Sequence, residues 1–264
     1  MKRILYFLIA VLILASCEKA QKTSSFNVTT LEMYADDDYS LTVSNDVSGT
    51  KFVSSNEYVA QVSQAGTISS YHIGKVTITK GEARCELTVK PRYSTYTEPI
   101  MEWGLSKSSI ISKVGSSYSS SNGVLTYQTG NKKAPQCMYS FDSNSKLTAS
   151  AVSVYTTYTS ELTEFLLERY KTYTYSTEDY MFVFIDGLTI ATAKNIIVLS
   201  IYNASYIIVM YTDIDDVITR GGSMPDIDKY IRDKLLKLTP FFNNTNQCIM
   251  RQSTAIKVEN LLTL

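Results

Sequence analysis

Several groups of side chains in this sequence have the type and spacing to do chemistry. Glu161, Glu164 and Glu168 recur at three- and four-residue intervals, and paired carboxylates are what glycoside hydrolysis uses. A helix would line these three along one stripe instead of setting them across a cleft. The spacing therefore predicts a solvated helix face. Asp36, Asp37 and Asp38 form one acidic cluster, and Asp213, Asp215 and Asp216 form another after a strand-like run. Such clusters offer oxygen ligands to hard cations, but neither has the spaced loop of an EF-hand. Both read as solvated turns, and no metal site is predicted. His72 is the only imidazole, which removes most catalytic triads and nearly all zinc enzymes. It has no Cys, His or Asp neighbour in sequence and reads as structural. There is no C-x-x-C, G-x-S-x-G, P-loop or H-E-x-x-H, so no catalytic residue and no cofactor is predicted.

The remaining chemistry is recognition. Twenty of the 264 residues are tyrosines, and six fall between Tyr155 and Tyr180. Tyrosine supplies rigid area that is half apolar and half polar, which suits binding surfaces. Tyr170, Tyr173, Tyr175 and Tyr180 are the candidate ligand-binding residues, lining a groove for a protein or glycan. The same Tyr and Thr alternation is also favoured in strands. Lys plus Arg equals Asp plus Glu at 25 each. A chain without basic excess does not displace counterions from phosphates, so no nucleic-acid partner is expected.

The elements that must position these groups fall into two modules. Residues 26–92 read as six or seven short strands at 8–12-residue spacing, a small β-sandwich. Alternation is clear in Val76–Thr79 and Cys85–Val89, and it places Cys85 in a strand as a buried thiol. Pro91 and Pro99 bracket a connector. Residues 99–264 then read as an α+β domain with an antiparallel sheet and about three helices, making the whole chain α+β and mainly β. Ser106 predicts an N-cap before Ile110, Ile111 and Val114, with Gly115 as the stop and Leu105 and Ile110 as a hydrophobic staple. A second helix is expected from about Ser160 to Tyr170, with Leu162, Phe165, Leu166 and Tyr170 as its apolar stripe. A third is expected over about Pro225–Leu238, with a last strand in Ala255–Leu264.

Between the helices, Met138–Phe141 and Leu147–Tyr155 flank a polar hairpin loop. Met181–Ile185 and Leu188–Ala193 are expected to pair across Asp186-Gly187. Ile196–Tyr202 and Tyr206–Tyr211 are expected to pair across Asn203–Ser205. The first two hairpins echo each other faintly, which leaves an internal duplication open. The unbroken apolar runs Phe182–Ile185 and Ile207–Met210 predict central strands covered on both faces.

Two segments carry a family likeness. Phe52–Asn56, Val59–Ser63, Gly66–Ile68, Gly74–Thr79 and the closing Cys85–Val89 strand resemble the bacterial Ig-like domain of group 2, with Phe52 where that family usually has Trp. The resemblance implies a spacer or adhesive module on a bacterial surface protein. At the N-terminus, Lys2 and Arg3 precede an apolar run from Ile4 to Ala15, too short to span a bilayer and suited to a signal peptide. Leu14-Ala15-Ser16-Cys17 resembles the bacterial lipobox. The likeness implies removal of residues 1–16 and lipidation of Cys17, with residues 17–25 as a short tether. Two or more acyl chains would hold the protein stably at a membrane. Enterobacterial lipoproteins retained at the inner membrane carry Asp after the cysteine, so with Glu18 there the likeness implies the outer membrane. Cys137 and Cys248 share a module, and spacing leaves a disulfide between them open.

The reading these observations favour is a membrane-tethered envelope lipoprotein acting as a non-enzymatic binding or structural module. An envelope assembly factor or inhibitor acting through the second module is the alternative. Its helix-plus-antiparallel-sheet pattern is similar to beta-lactamase inhibitor proteins and outer-membrane assembly lipoproteins. A carboxylate-dependent hydrolase is the remote third.

Overall fold

A computed structural model describes residues 23–46, 49–176 and 181–215. The expected signal peptide, Cys17, the helix over Pro225–Leu238, the strand in Ala255–Leu264 and residues Tyr180, Asp216 and Cys248 lie outside these. The described chain is mainly β, with mostly antiparallel pairing. Two α-helices stand among the described residues.

In the first module, β2 (Thr30–Tyr34), β9 (Ala83–Lys90), β8 (Gly74–Lys80) and β5 (Phe52–Ser54) form one sheet in that order. Strands β3 (Asp38–Ser40), β7 (Thr67–Ser70) and β6 (Ala60–Val62) form a second. Strand β1 (Ser25–Phe26) pairs with β4 (Val43–Ser44). One core of Phe26, Leu41, Phe52, Ile68, Val76, Ile78, Cys85 and Leu87 lies within them. The period-2 pattern of the sequence is kept, since Ala83, Cys85, Leu87 and Val89 all point inward from β9. Two features were not legible. β2 runs parallel to β9, and the fold takes in residues of the expected tether: Ser24 is buried, and its hydroxyl accepts from the backbone of Glu82 and Ala83. Gly66 is required by its turn, because its φ is +92° and a Cβ there would meet the Leu41 carbonyl at 2.5 Å.

The second module is one antiparallel sheet. Its strands are β10 (Ser119–Ser121), β11 (Val124–Gln128), β12 (Gln136–Phe141), β13 (Leu147–Tyr155), β17 (Tyr206–Asp213), β16 (Asn195–Ile201), β15 (Met181–Ile185) and β14 (Lys171–Ser176), in that spatial order. Helix α1 (Lys107–Val114) is capped as expected, with the Ser106 hydroxyl accepting from the Ser109 amide at 3.1 Å. Helix α2 (Thr159–Leu167) lays Leu162, Phe165 and Leu166 on one face of the sheet against Val154, Ile197 and Val209. The other face buries Met138, Ala149, Ala151, Val198 and Met210. The continuous apolar runs are therefore covered on both sides.

One expected hairpin is absent. Leu188–Ala193 is not a strand; β15 pairs with β16 instead, across residues 186–194. The local Asp-Gly turn signal loses to the apolar run Ile196–Leu199, which fills the neighbouring place in the sheet. The Asp186 carboxylate closes the loop by accepting from the backbone of Lys194 at 2.7 Å and Asn195 at 2.8 Å. The echo between the two hairpins ends at this loop.

The connector and the glutamate stripe also differ from expectation. Thr95 and Tyr96 are buried, and Tyr96 packs in the core of the second module with its hydroxyl 2.7 Å from that of Tyr211. Glu161 is half-buried, bonded to Thr95 and Lys133. The Glu168 side chain is only 4% exposed. Helix α2 ends three residues short of Tyr170, and the freed turn carries Glu168 to the boundary between the modules. There its carboxylate accepts from the amides of Arg92 at 2.7 Å and Tyr93 at 3.1 Å and pairs with Arg169. Its backbone carbonyl accepts from Ile73 at 2.7 Å. The Tyr58 hydroxyl reaches across from the first module to the Arg169 carbonyl at 2.6 Å. His72 stacks on the Tyr58 ring, centroids 4.0 Å apart, with Nδ1 2.7 Å from the Tyr58 carbonyl.

Two tests follow from this joint. Glu168→Ala leaves Arg169 buried without its anion and frees two amides, so it should cost about 3–5 kcal/mol of stability, read by urea denaturation; a loss under about 1 kcal/mol would contradict the assignment. Desolvation is the main reason that the His72 pKa is lowered, against the Tyr58 carbonyl and Asp36, which act the other way. The unfolded chain then takes up the proton first, so stability should be full above about pH 6.5 and fall as the pH drops below it. His72→Gln should flatten thermal midpoints measured between pH 7 and pH 5.

Candidate functional site

Tyr180 lies outside the described residues, and the other three candidate tyrosines do not form one surface. Tyr170 is buried, its hydroxyl donating to Glu98, and burial beside that carboxylate holds its proton on well above the ordinary phenol range. It is a core residue, in line with its place on the expected apolar stripe and contrary to its expected place in a groove. Its position one turn past α2, facing Tyr211 edge-on, explains this. Tyr173 and Tyr175 are exposed on β14, the last strand of the sheet among the described residues. Tyr175 stacks on Phe182 of β15 at 6.0 Å. Tyr173 sits at a bulge, between register pairs Thr172 with Phe184 and Thr174 with Val183, and does not share the alternation of Tyr175.

Among the described residues Cys85 and Cys137 are free thiols; Cys248, the partner considered for Cys137, lies outside them. Burial pushes the Cys137 thiol up to about 11, which disfavours the thiolate at neutral pH. Among the described residues no group of three or more His, Cys, Asp or Glu is arranged to hold a metal ion, and no helix is long and apolar enough to cross a membrane.

The structure instead assembles a cleft that the sequence did not announce. It has a volume of about 400 Å³, within the roughly 300–1,000 Å³ of small-molecule sites. Three segments build it. The strap between Pro99 and Ser106 contributes Met101 and Trp103. The loop closed by Asp186 contributes Ala193, Lys194 and Asn195. The end of β17 contributes Asp213, Ile214 and Asp215.

Each wall is held from behind. Ser150 donates to the Ile100 carbonyl at 2.6 Å. Gly104 turns the strap with φ +77° and donates to the Leu147 carbonyl at 3.0 Å. Trp103 is thereby fixed half-buried, its Nε1 donating to Asn195 Oδ1 at 2.8 Å. Asn195 is aimed in turn by Asp186, whose Oδ2 accepts from Nδ2 at 2.6 Å. Asn195 and Asp213 face each other in the ladder between β16 and β17. The Asp213 carboxylate accepts from the Asp215 amide at 3.1 Å, and Ile214 donates to the Lys194 carbonyl at 3.0 Å.

The arrangement can hold a small molecule with an apolar side and a polar rim. The acidic cluster read as a solvated turn is in part a wall of this cleft: Asp213 is half-buried and Asp215 exposed. Trp103 was missed because it stands outside any periodic run. Its one signal was being the only tryptophan, in a short strap between a proline and a helix cap.

No family model matches the chain, and no curated protein is similar to it.

The wall predicts its own sensitivity. Asp186→Ala removes a carboxylate that accepts three hydrogen bonds. It should lower stability by about 1–3 kcal/mol and loosen the support behind Trp103. A red shift of tryptophan emission with a lower urea midpoint is the expected result; an unchanged emission maximum would show that the loop does not position the indole.

Proposed function

We propose that this chain is an exported lipoprotein, anchored through Cys17 at the outer membrane, that binds a ligand with its second module and does not transform it. The first module would act as an Ig-like spacer: a four-stranded sheet, a three-stranded sheet and the β1–β4 pair around one core, resting on the second module through Tyr58, Ile73 and Glu168, support a stiff mount instead of a flexible one. The observation that carries the binding reading is the cleft at Trp103, whose walls are locked before any ligand arrives. Pre-organisation of this kind lowers the entropy lost on binding.

A second reading, an envelope assembly factor, is favoured by β14 alone. Tyr173 and Tyr175 stand exposed on it, and an added strand could pair along such an edge.

The anchor is tested in cells fed an alkyne-tagged palmitate. The full chain should be labelled and sediment with membranes, and Cys17→Ala should lose the label and appear in the soluble fraction. A mature product that retains residues 1–16, or labelling that survives Cys17→Ala, would overturn the proposal.

A further inference from the structure

We infer that the cleft at Trp103 takes a neutral sugar ring of a polysaccharide; this rests on the binding role assigned to the cleft above. The lining is divided. Met101, Trp103 and Ile214 are apolar, while Lys194, Asn195, Asp213 and Asp215 are polar. A ligand that is apolar throughout, such as an acyl chain, would strip water from the Lys194 ammonium and the Asp213 carboxylate without replacing its hydrogen bonds. Among the described lining residues the formal charge is one Lys against two Asp, or −1. An anion such as a phosphate ester or uronic acid meets repulsion from both carboxylates. A cation gains from the carboxylates and the indole but must sit beside Lys194.

A pyranose avoids each of these conflicts. Its ring presents a C–H face, which packs on an indole, and its rim carries hydroxyls. Each hydroxyl donates to a carboxylate and accepts from an ammonium or amide N–H. Lys194 supplies donors only, and Asp213 and Asp215 supply acceptors only, so a hydroxyl-bearing rim meets both kinds. The wall is also rigid where a stacked ring needs it to be. The indole N–H is already satisfied by Asn195, leaving the ring carbons of Trp103 as the surface on offer. Asn195 is spoken for in turn by Asp186 and Trp103. Asp213 and Lys194 therefore set specificity, and Trp103 sets the stacking plane.

Trp103 is the only tryptophan, so intrinsic fluorescence reads this cleft without a label. The full chain in detergent should be titrated with α- and β-linked neutral hexose oligomers, polygalacturonate, choline and a tyrosine-containing peptide. A saturable change in emission is expected with at least one neutral oligomer and with none of the other probes. Asp213→Asn should weaken that binding about ten- to hundredfold, the loss of a charge-assisted hydrogen bond, while its unliganded emission and circular dichroism stay those of the parent. Trp103→Phe, followed by calorimetry, should weaken it while keeping the fold. Response to choline, polygalacturonate or peptide alone would overturn the inference. So would silence toward every neutral oligomer, or sugar binding indifferent to both substitutions. Lipidation at Cys17 that fails while the oligomer response persists removes the anchoring proposal only; a peptide response in a lipidated chain removes the sugar and keeps the binding role.

Discussion

The buried carboxylate of Glu168 is the constraint on which the arrangement of this molecule depends. A carboxylate withdrawn from water must be matched by donors or it costs several kcal/mol. The chain meets that demand with groups from both sides of the module boundary: two amides of the connector at Arg92 and Tyr93, and the guanidinium of Arg169. The turn that follows α2 and carries Glu168 is thereby tied to the strand that leaves the first module. Arg169 is spent in the same knot, its guanidinium lying over Phe165 at 3.7 Å and donating to the carbonyls of Phe165 and Tyr93. Once those donors are committed, the connector cannot swing, and Thr95 and Tyr96 are delivered into the core of the second module.

That delivery matters for the cleft. The strap carrying Met101 and Trp103 is the continuation of the same connector, a few residues past Tyr96. Its course is fixed at one end by the Tyr96–Tyr211 contact and at the other by the backbone pairing of Gly104 and Leu105 with Leu147. Tyr211 lies two residues before Asp213 on β17, so the strand that receives the connector also supplies a wall of the cleft. Joint and cleft are thus two ends of one packed path, running from Glu168 through Tyr96 and Tyr211 to Asp213 and Trp103.

The sequence made the periodic parts of this molecule legible and the aperiodic parts opaque. Strands with alternating or unbroken apolar patterns, such as Cys85–Val89, Leu147–Tyr155 and Met181–Ile185, stand where their patterns place them, because burial of a face fixes register. The Ser106 cap held because its hydroxyl acts on an amide three residues away. What failed was inference from charge. Glu161, Glu164 and Glu168 share a helical spacing typical of a solvated face, yet the stripe turns inward at Glu168, whose partners Arg92 and Tyr93 lie 75 or more residues away in sequence. The Asp186-Gly187 turn failed for a related reason: its carboxylate serves Lys194 and Asn195, and so closes a wide loop in place of a tight one. Local chemistry cannot announce a partner that only the fold supplies.

The same reasoning separates the two aromatic features of the second module. Tyrosines on β14 were conspicuous by number, but number says nothing of fixation. Tyr173 occupies a bulge, and Tyr175 rests on a neighbouring ring at the margin of the sheet. Trp103 has no aromatic run around it, yet its ring nitrogen, the amide that accepts from it and the carboxylate behind that amide form a chain of bonds of 2.6–2.8 Å. Recognition favours surfaces whose ordering entropy is lost on folding instead of on binding. By that criterion the indole braced through Asn195 and Asp186 is what supports the proposed binding role at Trp103.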